Sequence, residues 1–180
     1  MIERRLISEE DRELYRYGIQ LLAEKLLGLC SILLICILTG RVLQGVVFYL
    51  SYSMLRKYAG GYHAGKFITC YLSSCFMVFL CVMLSFLPFA SVSSLILFAL
   101  GALVVFLLSP AQHSARPLED CEKRVYRKRT RLTLLLEFLI FTALYLLKHY
   151  SLCFVMGCAV FLLGVLVALQ YIANRKNNTE

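Results

Sequence analysis

Residues 67–115 read FITCYLSSCFMVFLCVMLSFLPFASVSSLILFALGALVVFLLSPAQHSA, 49 residues in a row without an Asp, Glu, Lys or Arg. A soluble core of this size does not need such a run, whereas a pair of membrane helices does, since about 20 apolar residues cross the hydrocarbon layer. Pro88 divides the run into Phe67–Leu87 and Ser91–Ser109 and supplies the turn between two helices. Working outward, Leu132–Leu147, with Glu137 inside it, and Tyr150–Ala173 form a second apolar pair, with Lys148 and His149 at their turn. On the other side lies Leu26–Leu55, interrupted by Thr39, Gly40 and Arg41. Each half of that stretch is short of a full span, so it reads as two short spans, a re-entrant hairpin or one long kinked helix.

The whole composition agrees. Of 180 residues, 60% are hydrophobic and 17% charged, and the mean hydropathy is +0.74. Soluble domains average about 45–50% apolar and 25% charged residues, and disordered chains are poorer still in apolar residues. Most of the eight cysteines lie inside apolar segments, where the thiol behaves as a small hydrophobe. No CxxC pair or Cys/His grouping has zinc-ligand spacing, so neither a metal nor a cofactor is expected.

Residues 1–25 carry charges and no cleavable apolar core. They read as an amphipathic helix opened by a Ser8–Asp11 capping box, with Leu14, Tyr17, Leu21 and Leu22 on one face. Such a helix lies on the inner membrane surface or packs on another part of the protein; the pattern serves both.

Cations set the orientation. They cluster at Arg4–Arg16, at Arg56–Lys66, from Arg116 to Arg131 and at Arg175–Lys176, while the loops at 88–90 and 148–150 are nearly uncharged. The positive-inside rule places all four clusters, and both termini, in the cytosol. Residues 26–55 then cross an even number of times or not at all, which disfavours the single long helix. The expectation is an all-α, polytopic membrane protein. An N-terminal amphipathic helix precedes about six apolar segments, of which four are clear spans, and the membrane domain covers 26–173. A basic cytosolic loop spans 110–131 and a polar tail spans 174–180.

Unusual residues gather in one place, Arg56-Lys57-Tyr58-Ala59-Gly60-Gly61-Tyr62-His63-Ala64-Gly65-Lys66, at the cytosolic mouth of the span that starts near Phe67; Cys70 follows His63 by seven positions. A Cys–His pair can be a nucleophile and its base. Spacing alone leaves two readings open, a catalytic pair or a buried thiol near a headgroup-level histidine. On one straight helix the two would sit about 10.5 Å apart along the axis, so catalysis requires His63 outside the helix that carries Cys70. Gly60 and Gly61 give the backbone that freedom. A helix starting near Lys66 puts Cys70 by its N-terminus, where the dipole favours thiolate.

Arg56, Gly60-Gly61-Tyr62-His63-Ala64 and Cys70, with Tyr15-Arg16-Tyr17-Gly18 before them and a basic segment after the fourth apolar stretch, resemble the accessory gene regulator B (AgrB) family. These are bacterial membrane cysteine endopeptidases that process quorum-sensing propeptides, and the likeness covers nearly the whole chain. It implies that His63 and Cys70 are catalytic and that Arg56, Gly60 and Gly61 support them. It further implies a homodimer in the cell membrane. The implied substrate is a propeptide with an amphipathic N-terminus, an internal Cys or Ser and an acidic C-terminal tail. The implied activity is cleavage of that tail through an acyl-enzyme thioester, which the internal Cys or Ser attacks to close a thiolactone or lactone ring.

Lys123, Arg124, Arg127, Lys128, Arg129 and Arg131 form a topology anchor on the anionic lipid surface, and on the resemblance also a dock for the acidic tail. Nucleic acid is not expected, because the cations lie at a membrane with no binding fold around them. The rival reading is a non-enzymatic transporter or scaffold. It would require ionisable groups in mid-membrane, where only Glu137 and Arg41 stand, both within reach of the interface by snorkelling.

Overall fold

A computed structural model describes residues 9–61, 67–87, 90–111 and 119–177. It contains α1 (Glu9–Leu38), α2 (Val42–Ala59), α3 (Phe67–Leu84), α4 (Ala90–Leu108), α5 (Asp120–Leu146) and α6 (Tyr150–Asn177). Among the described residues there is no strand, only an isolated parallel bridge between Gly60 and Ala111. Ser8 and Pro88, with the cap and the turn expected of them, lie outside the described residues, as do the side chains of Leu14, Tyr17 and Leu21.

The expected amphipathic segment and the first apolar segment form one helix. α1 runs through residues 25 and 26 without a break, because Leu-Leu-Ala-Glu-Lys-Leu-Leu is strong helix-forming sequence and holds no stop signal. The break comes at Thr39–Gly40–Arg41, where Gly40 takes φ +67° and Thr39 turns its hydroxyl back onto the carbonyl of Ile35 at 2.8 Å. α1 and α2 therefore make an antiparallel hairpin. A Cβ placed on Gly45 would fall 1.9 Å from Cys36 Sγ, and Ile32 packs on the cluster that contains Phe48.

The helices alternate in direction. Tyr71 at the start of α3 meets Ser31 of α1 (Oγ···OH 2.5 Å), and the Arg41 guanidinium lies 3.3 Å over the Phe86 ring at the far end. α5 runs against α4: Arg131 covers Phe106 at 4.6 Å, and Phe98 stacks on Phe141 at 4.3 Å. α4 and α6 run parallel and touch through backbone. A Cβ on Gly101 would lie 2.5 Å from the Phe161 nitrogen, one on Gly157 2.9 Å from the Ser94 oxygen and one on Gly164 3.1 Å from the Gly101 oxygen. The core between α2, α4, α5 and α6 holds Leu55, Phe98, Val105, Phe141, Met156, Val160 and Leu163.

Two helices, Ala90–Leu108 and Tyr150–Arg175, are long and apolar enough to cross a membrane, and α3 has a shorter apolar stretch over Tyr71–Leu84. Two further expectations change. Residues 120–131 are not loop but the first turns of α5, opened by a Glu119/Glu122 capping box that satisfies backbone N–H groups at the helix start. Glu137 does not snorkel. Its exposure is 3%, and neither carboxyl oxygen has a hydrogen-bond partner among the described residues. It faces inward because it shares a helix face with the buried Thr130, Leu134 and Phe141.

Candidate active site

α2 ends because Gly60 follows it. The Gly60 N–H still reaches the Arg56 carbonyl at 3.2 Å, but its φ of +75° and the +125° of Gly61 turn the chain out of the helix. Both angles lie where L side chains are strained and glycine is not. The space is equally restrictive. A Cβ on Gly60 would lie 2.3 Å from the Ala111 oxygen, because Ala111 donates its N–H to the Ala59 carbonyl at 2.9 Å. The segment after α4 is thus stapled to the end of α2.

Arg56 folds back over this turn. Its guanidinium carbon stands 5.5 Å above the Tyr52 ring. Nη1 comes within 3.4 Å of where a Gly61 Cβ would be, as does Cβ of Leu166 from α6. The structure therefore brings together Arg56, Gly60 and Gly61. Gly61 is buried, two residues before His63. His63 itself, in residues 62–66, lies outside the described residues. Cys70 is the fourth residue of α3, among the N–H groups that lack intrahelical acceptors; its side chain also lies outside them. Cys30, Cys36, Cys75, Cys81, Cys121, Cys153 and Cys158 are all free thiols.

The cationic residues sit at the same end of the bundle. Arg124, Arg127, Lys128, Arg129 and Arg131 are exposed, and Lys123 is half-buried. The Arg129 guanidinium and the Lys57 ammonium lie 5.6 and 5.5 Å from the Tyr58 ring, which also tilts against Tyr126 at 6.3 Å. Aromatic and cationic side chains thus tie α5 to the end of α2. Ala111, the residue that pins the glycine turn, carried no sequence signal. The Glu119-x-x-Glu122 cap did, and it marks the start of α5.

The model of the accessory gene regulator B (AgrB) family matches residues 1–168. The chain belongs to this family. Among its relatives, an AgrB-like protein of Clostridium perfringens (strain SM101 / Type A) is 26% identical over 93% of this chain and 85% of its own length. A second AgrB-like protein, from strain 13 of that species, is 24% identical over 80% of this chain and 71% of its own. An AgrB-like protein of Listeria monocytogenes serotype 4a is 33% identical over 71% of this chain and 66% of its own. No solved structure matches the chain. Family membership and the two apolar helices are compatible with a membrane protein.

Proposed function

We propose that this protein is a membrane-embedded cysteine endopeptidase. It removes the acidic C-terminal tail of a small propeptide and releases the remainder as a thiolactone or lactone signal. The observation that carries the reading is the glycine turn at the end of α2, with Arg56 folded onto Gly61, leading into the His63…Cys70 motif of a chain that belongs to this family. Six helices cross the bacterial cell membrane, both termini and the glycine turn face the cytosol, and the protein acts as a homodimer.

In the proposed reaction His63 takes the proton of Cys70, and the thiolate attacks the carbonyl that joins the signal segment to the tail. The C–N bond breaks, His63 returns its proton to the leaving amine, and the acyl group stays on Cys70 as a thioester. The substrate's own Cys or Ser then attacks that carbonyl; the ring closes, and Cys70 leaves as thiolate. With a substrate cysteine one thioester replaces another, so ring closure is close to isoenergetic, and departure of the tail draws the sequence forward. The cations at the start of α5 hold the tail. Arg56 supports the turn that presents His63.

Co-expression with a propeptide of this design tests the reading. Cys70→Ala and His63→Ala should each lower tail cleavage on the order of 10³-fold or more while the protein stays in the membrane fraction. Cys75→Ala and Cys81→Ala, at thiols deeper in α3, should cleave normally. Cleavage by Cys70→Ala would reject the proposal. A substrate whose ring-forming Cys is changed to Ala should leave a mass adduct on Cys70 that hydroxylamine removes.

A further inference from the structure

α1 contains a glycine that its packing does not explain. Around Gly101, Gly157 and Gly164 a methyl group would strike a neighbouring helix, but a Cβ on Gly28 would meet nothing within 4 Å. Glycine inside a helix costs about 1 kcal/mol relative to alanine, so a bare position without a close neighbour calls for another use. Gly28 lines a slot of about 230 Å³ between α1, α2, α3 and α6. The slot begins at Glu24, Tyr52 and Tyr71 and runs inward between Ile32, Phe48 and Val78. A void of ~150 Å³ takes a benzene-sized group, so this one accepts one large aromatic or two aliphatic side chains.

Its position relates it to the chemistry. Tyr71 and Ser74 on its wall follow Cys70 by one residue and by one helical turn, so the slot opens in the turn of α3 that carries the nucleophile. Charge divides the surroundings into two sides. Arg56 and Lys57 lie one turn beyond Tyr52 on α2, and the exposed cations of α5 share that end. An acidic tail is drawn to the cations and would be costly to bury among Ile32, Phe48 and Val78. The acyl side of the scissile bond is left with the slot.

We propose that this slot is the acyl-side subsite, holding a bulky apolar side chain on the substrate residue whose carbonyl becomes bonded to Cys70, and that Gly28 keeps it open. This rests on the cysteine endopeptidase reading, and the test separates the two. Membranes containing the full chain are treated with benzyloxycarbonyl-phenylalanyl chloromethyl ketone, with its glycyl counterpart or with iodoacetamide, and alkylation of Cys70 is timed by peptide mass spectrometry. In each chloromethyl ketone the Cys70 thiolate displaces chloride and forms a C–S bond.

The phenylalanyl reagent should react about tenfold faster than the glycyl one, the scale of discrimination an apolar pocket achieves. Gly28→Leu should bring the two near parity and leave the iodoacetamide rate unchanged, while Gly28→Ala should give an intermediate ratio. Equal rates in the wild type overturn the subsite. So does a ratio that Gly28→Leu leaves untouched, including the case where that variant instead loses a co-purifying phospholipid. Iodoacetamide labelling of Cys70 no faster than of Cys75 and Cys81 would instead remove the endopeptidase reading beneath it.

Discussion

α4 with α6 and α1 with α3 are built from the same apolar residue types and do opposite things. In the first pair glycines let two backbones touch: Gly101 and Gly164 lie against each other, and Gly157 against the Ser94 carbonyl. Residues 152–157 of α6 are buried without interruption. In the second pair the helices meet at the Ser31–Tyr71 hydrogen bond and leave a slot beside it. Leu72, Phe76 and Phe79 of α3 are exposed on its outer side. The close pair is scaffold and the open pair has room for a ligand. A glycine inside a helix therefore has no fixed meaning; what stands beside its missing Cβ decides it.

The largest effect is expected where α4 and α6 touch. Gly101→Leu places its side chain against the backbone of Val160 and Phe161, within 2.6 Å. Overpacking costs about 1–3 kcal/mol when flexible side chains can yield, but here α4 and α6 must separate. Full-length protein in the membrane fraction should fall at least about tenfold, read by quantitative blotting. Normal levels would show that the α4–α6 contact does not hold the fold.

Much of this architecture was legible in the chain. The uncharged run at 67–115 and the apolar stretch from Tyr150 match α3, α4 and α6 to within a few residues, because a 20-residue apolar period is a strong signal. The turn at Thr39–Gly40–Arg41 was visible as an interruption. Three things were not. The unbroken α1 crosses a change from polar to apolar composition, and composition does not end a helix. The start of α5 was hidden by its cations, which read as loop although Glu119 and Glu122 cap it. Glu137 turns inward through its helical phase with Leu134 and Phe141, a tertiary choice that length and hydropathy leave open. At the site, Gly60 and Gly61 were legible as a turn. Ala111, which closes on it from the segment after α4, was not, because a backbone-to-backbone contact leaves no mark on residue type.

The second test falls on that contact. Gly60→Ala asks an L residue to adopt φ +75° and puts a methyl group 2.3 Å from the Ala111 oxygen. The left-handed conformation alone costs roughly 1–2 kcal/mol, and the clash forces the turn to move. The bundle, held elsewhere, should still reach the membrane, while propeptide cleavage should drop about a hundredfold because the turn leads directly to His63. Cleavage at the wild-type rate would detach the turn from the chemistry.

A smaller change is expected from Arg127, Lys128 and Arg129 together replaced by Gln. These residues are exposed, and exposed ion pairs contribute about 0.2–1 kcal/mol each. Cleavage should weaken by roughly threefold to a hundredfold, and raising salt from 0.1 to 0.5 M should weaken the wild type in the same direction through screening. Unchanged cleavage with normal membrane levels would leave the three cations as lipid anchors only.

The smallest effect comes from making one substitution in both regions. Gly28→Ala adds a methyl group to α1 where nothing lies within 4 Å. It removes the flexibility of a glycine in mid-helix and should stabilise by up to about 1 kcal/mol. Gly101→Ala adds the same methyl group where the Phe161 backbone lies within 2.6 Å, and the gain in helix propensity cannot offset parted helices. Thermal unfolding in detergent, followed by loss of monodisperse protein, should therefore move in opposite directions for the two variants: slightly upward for Gly28→Ala and well downward for Gly101→Ala. Only the packing beside the Cβ differs between them. If Gly28→Ala also lowered the midpoint, something would have to stand against Gly28, and the slot would be closed in the folded protein.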